Sequence, residues 1–577
     1  MSSRSIYSQA GCRTLKLTSL FCALLALGLV PGIALAQGLE TPPVTSFRPD
    51  TTLPKVQVPE FVITGKAEVE LPRAYKPSIE IDSSFFQNKD LTGTVLNVPA
   101  DLSLSRQQLA SGNGFPDLFV KASIGHYTTA NYIVSGAAET KEGWVLNGSI
   151  NGGYSNGFIP YTMQRDFSVR AGVSKDLKFA QSEVSSNSIG FGYSRSSYYL
   201  YGQIIPASPY LRKTDNVSLG ISSNMDLGDV PLAIGLNFDR SSISDYWNAV
   251  ESSIGLDGST QIPLPSGWIV GNASLYFGNH NINQESPSPV PLLYGLVTGL
   301  NRSMYHFKVG ADYTNASVAR DFTYSLGVNY FQYRDESANG IAKIYPDVRV
   351  DYKLNGNVAF FASYEGTIRQ PTLVSLMSID RYVDASSALL STQDYAVITL
   401  GSRVGISNTV SLTPQFSASL SRDYPMFVSV PDNSSYLVYA DRATLLSFAV
   451  RANYIAENFN ADATLQFQRG TTSTLSSIPN LSPVNFEMNL GYEFVPHLTL
   501  HVQMLLLSQR YADLTLTDKV SSAGLLDAGL SYDVKIGTLP IEFFVDGKNL
   551  FNQRYFIWQG YQEFPLSLFV GFSSRIL

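Results

Sequence analysis

Residues 347–354 alternate between charged and apolar side chains: Asp347, Arg349, Asp351 and Lys353 are charged, and Val348, Val350, Tyr352 and Leu354 are apolar. Successive side chains of a strand point to opposite faces, so this segment predicts a strand with one oily and one charged face. The same period of two runs through 322–330, where Phe322, Tyr324, Leu326, Val328 and Tyr330 share a face, and recurs at 166–174 and 526–534. Between such segments there is no amphipathic helix of useful length. After the first strand comes Asn355-Gly356-Asn357. A three-residue loop there pairs Leu354 with Val358, Tyr352 with Phe360 and Val350 with Ala362, which keeps one face apolar. A two-residue loop would set Asp351 against Phe360. Register follows the apolar face, so the three-residue loop is expected, with Asn357 able to take a left-handed conformation.

The connections between strands alternate in length. Short turns at 355–357, 406–408, 456–458, 495–497 and 536–540 interleave with long segments near 368–393, 421–442, 470–484, 510–524 and 550–565. A membrane barrel does this because its turns face the periplasm and its loops face outward. Eleven strands fit between 342 and 576. Eleven more start near 117, 131, 144, 167, 186, 214, 231, 249, 267, 304 and 320. The expectation is an all-β, antiparallel up-and-down transmembrane barrel over 116–577, with about 22 strands in a range of roughly 18 to 24. The apolar face then meets lipid and the charged face a lumen. Arg349, Asp351, Lys353, Asp527, Asp533, Glu542, Asp546 and Lys548 are the lumen candidates. They carry both signs, so no simple ion preference follows.

Composition supports lipid contact. Charged residues are 15% of the chain, against about 25% in soluble proteins, while Tyr, Phe and Gly are abundant. Residues 1–36 read as a signal peptide: Arg4, Arg13 and Lys16, an apolar run at 20–30, and Ala-Leu-Ala at 34–36. The run falls short of the ~20 residues of a spanning helix. No small residue precedes Cys22, so a lipoprotein signal is not expected. Cys12 and Cys22 both lie in this leader, which leaves residues 37–577 without thiol chemistry and with a net charge of 37 − 47 = −10. Such a balance argues against nucleic acid as a partner. Residues 37–115 are punctuated by Pro42, Pro43, Pro49, Pro54, Pro59, Pro72, Pro77 and Pro99 and read as an extended periplasmic arm.

Against this background the residues resemble a family. Residues 546–556, with Asn549, Leu550, Phe551, Asn552, Arg554 and Tyr555, are similar to the penultimate-strand motif of TonB-dependent outer-membrane receptors. Residues 560–577 resemble their closing strand. Residues 362–376, with Arg369, Gln370 and Pro371, resemble their mid-barrel hairpin. The resemblance implies a receptor-like barrel in the outer membrane that works in solute uptake. That family fills its barrel with an N-terminal plug, and 37–115 is too short for one. Residues 59–65 nevertheless resemble the start of such a domain, which makes Glu60, Phe61, Val62, Ile63, Thr64 and Gly65 the candidate contact for a periplasmic protein, with TonB-type coupling as the implied case.

Other chemistry finds little footing. His126, His280, His306, His497 and His501 are scattered, without metal-ligand spacing. No phosphate loop or nucleophile elbow is present, so neither a metal nor a cofactor is expected, and an enzyme is the minor alternative. The aromatic residues of 197–202 and Tyr555, Phe556, Trp558 and Tyr561 are read as interfacial girdle in preference to a ligand site. Residues 281–295 read as an outer loop. Two functions remain open. One is passage of an unidentified small solute, gated by the arm, inward-folded loops or another protein. The other is a non-transporting anchor whose arm holds a periplasmic partner.

Overall fold

This computed structural model describes residues 118–576 apart from 180–181, 203–208, 228–229, 285–299, 316–320, 338–339 and 430–434. Twenty-two strands, from Leu118–Gly125 to Ser567–Ile576, form one antiparallel sheet. The first strand pairs with the last, Leu118 opposite Ile576 and Gly125 opposite Phe569, so the sheet closes and has no edge. Closure satisfies every ladder donor and acceptor within the wall, as hydrocarbon requires.

The outward face carries Leu326, Val328, Phe360, Leu400, Phe448, Phe467, Val545 and Phe572, all exposed. Exposed apolar side chains in such a continuous row are the lipid-facing surface of a barrel. At the end with short turns, outward aromatic rings meet in a chain: Tyr454 with Phe459, Phe459 with Tyr492, and Tyr492 with Phe494, at centroid distances of 5.3, 6.1 and 4.6 Å. This is the girdle. Of the rings assigned to it from sequence, Tyr198, Trp558 and Tyr561 are buried instead, while Tyr199, Tyr201, Tyr555 and Phe556 are half-buried. Tyr198 lies at the outer end of its strand, and Trp558 and Tyr561 lie in a long connection that folds over the lumen, so these rings pack inward.

The hairpin at 354–357 has the expected register: Val350 opposes Ala362, Tyr352 opposes Phe360, and Leu354 N–H donates to the Val358 carbonyl at 2.9 Å. Asn357, however, is not left-handed. The turn closes through the Asn355 side chain, whose Oδ1 accepts from the N–H groups of Asn357 and Val358, each at 2.9 Å. An Asx-type bond does here what a left-handed residue does elsewhere.

Cross-strand partners share a face, so pairing carries the inner face around the ring. Tyr198 opposes Gln164, which opposes Ser155. Asn131 opposes Gly153 and Ser123, and Gly571 opposes both Ser123 and Phe544. In the other direction Glu251 opposes His280, which opposes Arg302. Thr314 then opposes Ser325, and Ser325 opposes Arg349. Tyr198 and Glu251 both bond to the segment between Arg369 and Thr392, which fixes this face as the interior.

Candidate functional site

The segment 370–391 leaves the wall at Arg369 and returns at Thr392. The wall fixes both ends. Arg369 Nε and Nη2 donate to the two oxygens of Asp394 at 2.6 and 3.2 Å, a fork that clamps adjacent strands. Ser391 Oγ donates to Gln370 Oε1 at 2.6 Å, and Ser391 N–H donates to Asp335 at 2.9 Å. Pro371 ends the strand. Thr372 then caps a short helix, Leu373–Ile379, reciprocally with Ser375. Glu251 on the wall accepts from Leu373 N–H at 2.6 Å, which sets a carboxylate against the helix N-terminus.

Beyond the helix the segment reaches a part of the wall seven and eight strands away from the one it leaves. Arg212, on the strand Leu211–Leu227, donates from Nη1 to the carbonyls of Arg381 and Val383 at 2.9 and 2.8 Å. Its Nε donates to Asp245 at 2.7 Å, and both side chains are fully buried. Tyr198 donates to the Arg381 carbonyl at 2.6 Å. Asp384 accepts from Tyr246 at 2.5 Å and from Trp247 Nε1 at 3.3 Å. The ribbon Tyr424–Ser429 with Ser435–Ala440 supports the segment from another side. Val383 bridges Ser435, and the Ser435 hydroxyl donates to Asp380.

Apolar packing completes the closure. Leu373, Leu376, Tyr382, Val383, Ala385 and Leu389 of the segment share one buried cluster with Tyr198, Tyr246, Trp247, Phe427, Trp558 and Tyr561. Tyr382 stacks on Tyr561 at 3.5 Å and 14°. Burial pushes Asp380 up to about 6, against the hydrogen bonds from Ser435 and Tyr382 N–H. It also raises Asp384. Together the segment and the loop 549–566 pack into one buried cluster, a stopper, at the end of the barrel that carries the long loops. Below it, a cavity of about 240 Å³ is bounded by the segment, the loop and the wall.

The receptor-like motif at 549–555 shapes that loop. Asn549 is left-handed, donates from Nδ2 to the carbonyls of Gln553 and Phe564 at 2.9 and 3.2 Å, and gives its N–H to Asp527 at 2.7 Å. Asn552, also left-handed, accepts from Leu566 N–H at 3.1 Å. Leu550 and Phe551 are exposed, Arg554 lies 5.5 Å from the Phe556 ring, and Tyr555 packs against the buried cluster.

Arg349, Asp351 and Lys353 lie on the inner face, where Arg403 approaches Asp351 at 3.4 Å. Glu542, Asp546 and Lys548 share the inner face with Phe544. Glu542 accepts from Ser573 at 2.6 Å, His501 meets Asp546 at 2.8 Å, and Lys548 lies over the Phe569 ring. These residues line the wall and do not converge on one point. Glu60–Gly65, the leader and the arm lie outside the described residues. Among the described residues no group of three or more His, Cys, Asp or Glu could hold a metal.

Sequence reasoning missed Arg212, Asp245, Asp380, Arg381, Tyr382, Asp384 and Glu563. One signal was available. Residues 373–390 hold Leu373, Leu376, Met377, Ile379, Val383, Leu389 and Leu390, more apolar weight than a solvated loop carries.

By sequence, no family model and no curated protein matches. By structure, the chain is similar to the FrpB iron transporter from Neisseria meningitidis, with a TM-score of 0.61 at 12% identity over 82% of this chain and 83% of that one. It is likewise similar to the siderophore receptor PiuA from Acinetobacter baumannii, at 0.60 and 11% over 81% and 82%. For the copper transporter OprC the values are 0.59 and 12% over 79% and 80%. At these identities the likeness is one of fold. The chain shares the fold of these proteins, and its closed 22-stranded barrel with an apolar outer face is the architecture of an outer-membrane protein.

Proposed function

We propose that the protein passes a small polar solute across the outer membrane, and that segment 370–391, folded inward, is its gate. The observation that carries this reading is the stopper. A loop with ordinary surface chemistry would not bury Leu373, Leu376, Val383 and Leu389 or set Asp380 and Asp384 among donors from two other elements. Beneath it Arg349, Asp351, Lys353, Glu542, Asp546 and Lys548 give the lumen a polar lining of mixed sign. Such a lining wets the conduit without selecting one ion. In this reading no standard plug is required, because the gate comes from the barrel's own loop. The arm at 37–115, with Glu60–Gly65, is free to contact a periplasmic protein.

Solute flux tests this. Proteoliposomes carrying residues 37–577 are compared with a variant in which 373–390 is replaced by a Gly-Ser linker. The expected result is slow flux of small neutral and zwitterionic solutes through the native protein and fast flux through the variant. Equal, background flux through both forms would sink the conduit and leave the anchor.

A further inference from the structure

The cavity beneath the stopper is lined by five charged side chains: Arg381 from the segment, Glu563 from the loop 549–566, and Asp166, Asp527 and Lys548 from the wall, beside Tyr382, Tyr555 and Trp558. Lys548 and Asp527 act on each other, whereas Arg381, Glu563 and Asp166 form no ion pair among themselves. Arg381 makes one side-chain hydrogen bond, to Gln164 Oε1 at 3.3 Å, and lies over the Tyr198 ring at 4.2 Å. Among the described residues neither Glu563 nor Asp166 has an ion-pair partner within 4.0 Å, and neither carboxylate accepts a hydrogen bond. The charges nevertheless feel one another. Burial raises Glu563, and the Arg381 charge opposes that rise.

Charges held apart in a half-enclosed cavity cost desolvation that a mutual ion pair would offset. A ligand placed between them offsets it instead. We propose that this cavity is a binding site for a small zwitterion of the α-amino-acid type. Its carboxylate meets Arg381, its ammonium meets Glu563 and Asp166, and its apolar body lies against Tyr382, Tyr555 and Trp558. The volume of about 240 Å³ equals about eight water volumes at ~30 Å³ each, enough for one such solute. Arg381 and Tyr382 belong to the segment and Glu563 to the loop 549–566, so occupancy bears directly on the stopper.

The proposal adds a substrate class to the conduit reading. It is tested by binding in detergent, without flux, so the two can fail separately. Equilibrium dialysis of residues 37–577 uses three probes: L-leucine, N-acetyl-L-leucine, which is only anionic, and L-leucine amide, which is only cationic. Leucine is expected to bind about tenfold or more tightly than either analogue, as charged hydrogen bonds imply. R381Q should erase the preference of leucine over the amide. E563Q should erase its preference over the N-acetyl compound. Heat-modifiable gel mobility checks that each variant keeps its barrel, and either variant alone is decisive if the other fails to fold. Leucine binding no tighter than both analogues, or folded variants that keep the native order, would overturn the proposal.

Discussion

The outer and inner halves of the barrel share one wall and carry opposite interiors. Toward the short turns the inner face is an open row of side chains paired locally, such as half-exposed Asp351 with Arg403 and Glu542 with buried Ser573. Toward the long loops the same face is sealed. Arg212 and Asp245 are fully buried, and the segment 370–391 bonds to Arg212 and Glu251, on a part of the wall several strands away from the two strands that anchor its ends. Exposed pairs contribute little because water already solvates both partners. Buried ones organise whatever packs over them, because leaving one partner alone is costly. Under the proposed conduit function, the sealed half carries the gate, where a few contacts would decide between closed and open, while the open half would supply the wet path.

The largest effect is expected at Arg212. R212M strands Asp245 as a buried charge and frees the carbonyls of Arg381 and Val383, so the closed mouth should lose about 3–5 kcal/mol. Limited proteolysis should then cut within 373–390 while the barrel stays folded. A segment as resistant as the native one would show that Arg212 does not hold it.

pH is expected to act next. Asp380 in the closed segment is raised from the usual carboxylate range to about 6 by burial, and Asp384 moves in the same direction. A raised acid favours the state in which it is protonated. Closure is therefore fully supported below about pH 4 and weakens as pH rises through about 6, a range worth up to about a hundredfold in the closed-to-open ratio. Single-channel open probability between pH 4 and 7 checks the sign, and D380N should flatten the dependence.

Arg510 sharpens the comparison within the sealed half. It is as buried as Arg212, yet among the described residues it has no carboxylate partner. Nη2 donates to the Ile557 and Phe556 carbonyls, and Nε and Nη1 meet nothing. Burial pulls it down to about 10. R510M should thus be neutral or stabilising, within about 1 kcal/mol, in thermal unfolding followed by circular dichroism. A loss as large as that of R212M would mean that the carbonyl bonds alone justify the charge. Smallest of all should be E542Q in the open half, at about 0.5 kcal/mol or less in the same measurement.

The wall was legible in the sequence because it obeys a period of two. The alternation of Asp347–Leu354 placed both faces and, with the turn at 355–357, the register. The alternation of short and long connections gave closure. What escaped was the mouth. The inner face of the strand Phe322–Arg334 is polar at Thr323, Ser325 and Asn329 and then turns aromatic at Phe331 and Tyr333, both fully buried. A uniform lumen does not anticipate that change. Contacts such as Arg212 with the Arg381 carbonyl, 169 residues apart, leave no periodic trace in either segment. The ring cluster at 555–561 looks the same in sequence whether it faces lipid or the lumen, and only the path of its loop decides.

Segment 370–391 is proposed to close the outer mouth. Single-channel recording in a planar bilayer at pH 5 tests it most directly, with residues 37–577 in native form and with 373–390 replaced by a Gly-Ser linker. The native protein is expected to be closed apart from brief openings, and the linker variant to show a large steady conductance. A native protein that conducts as steadily as the variant would contradict it.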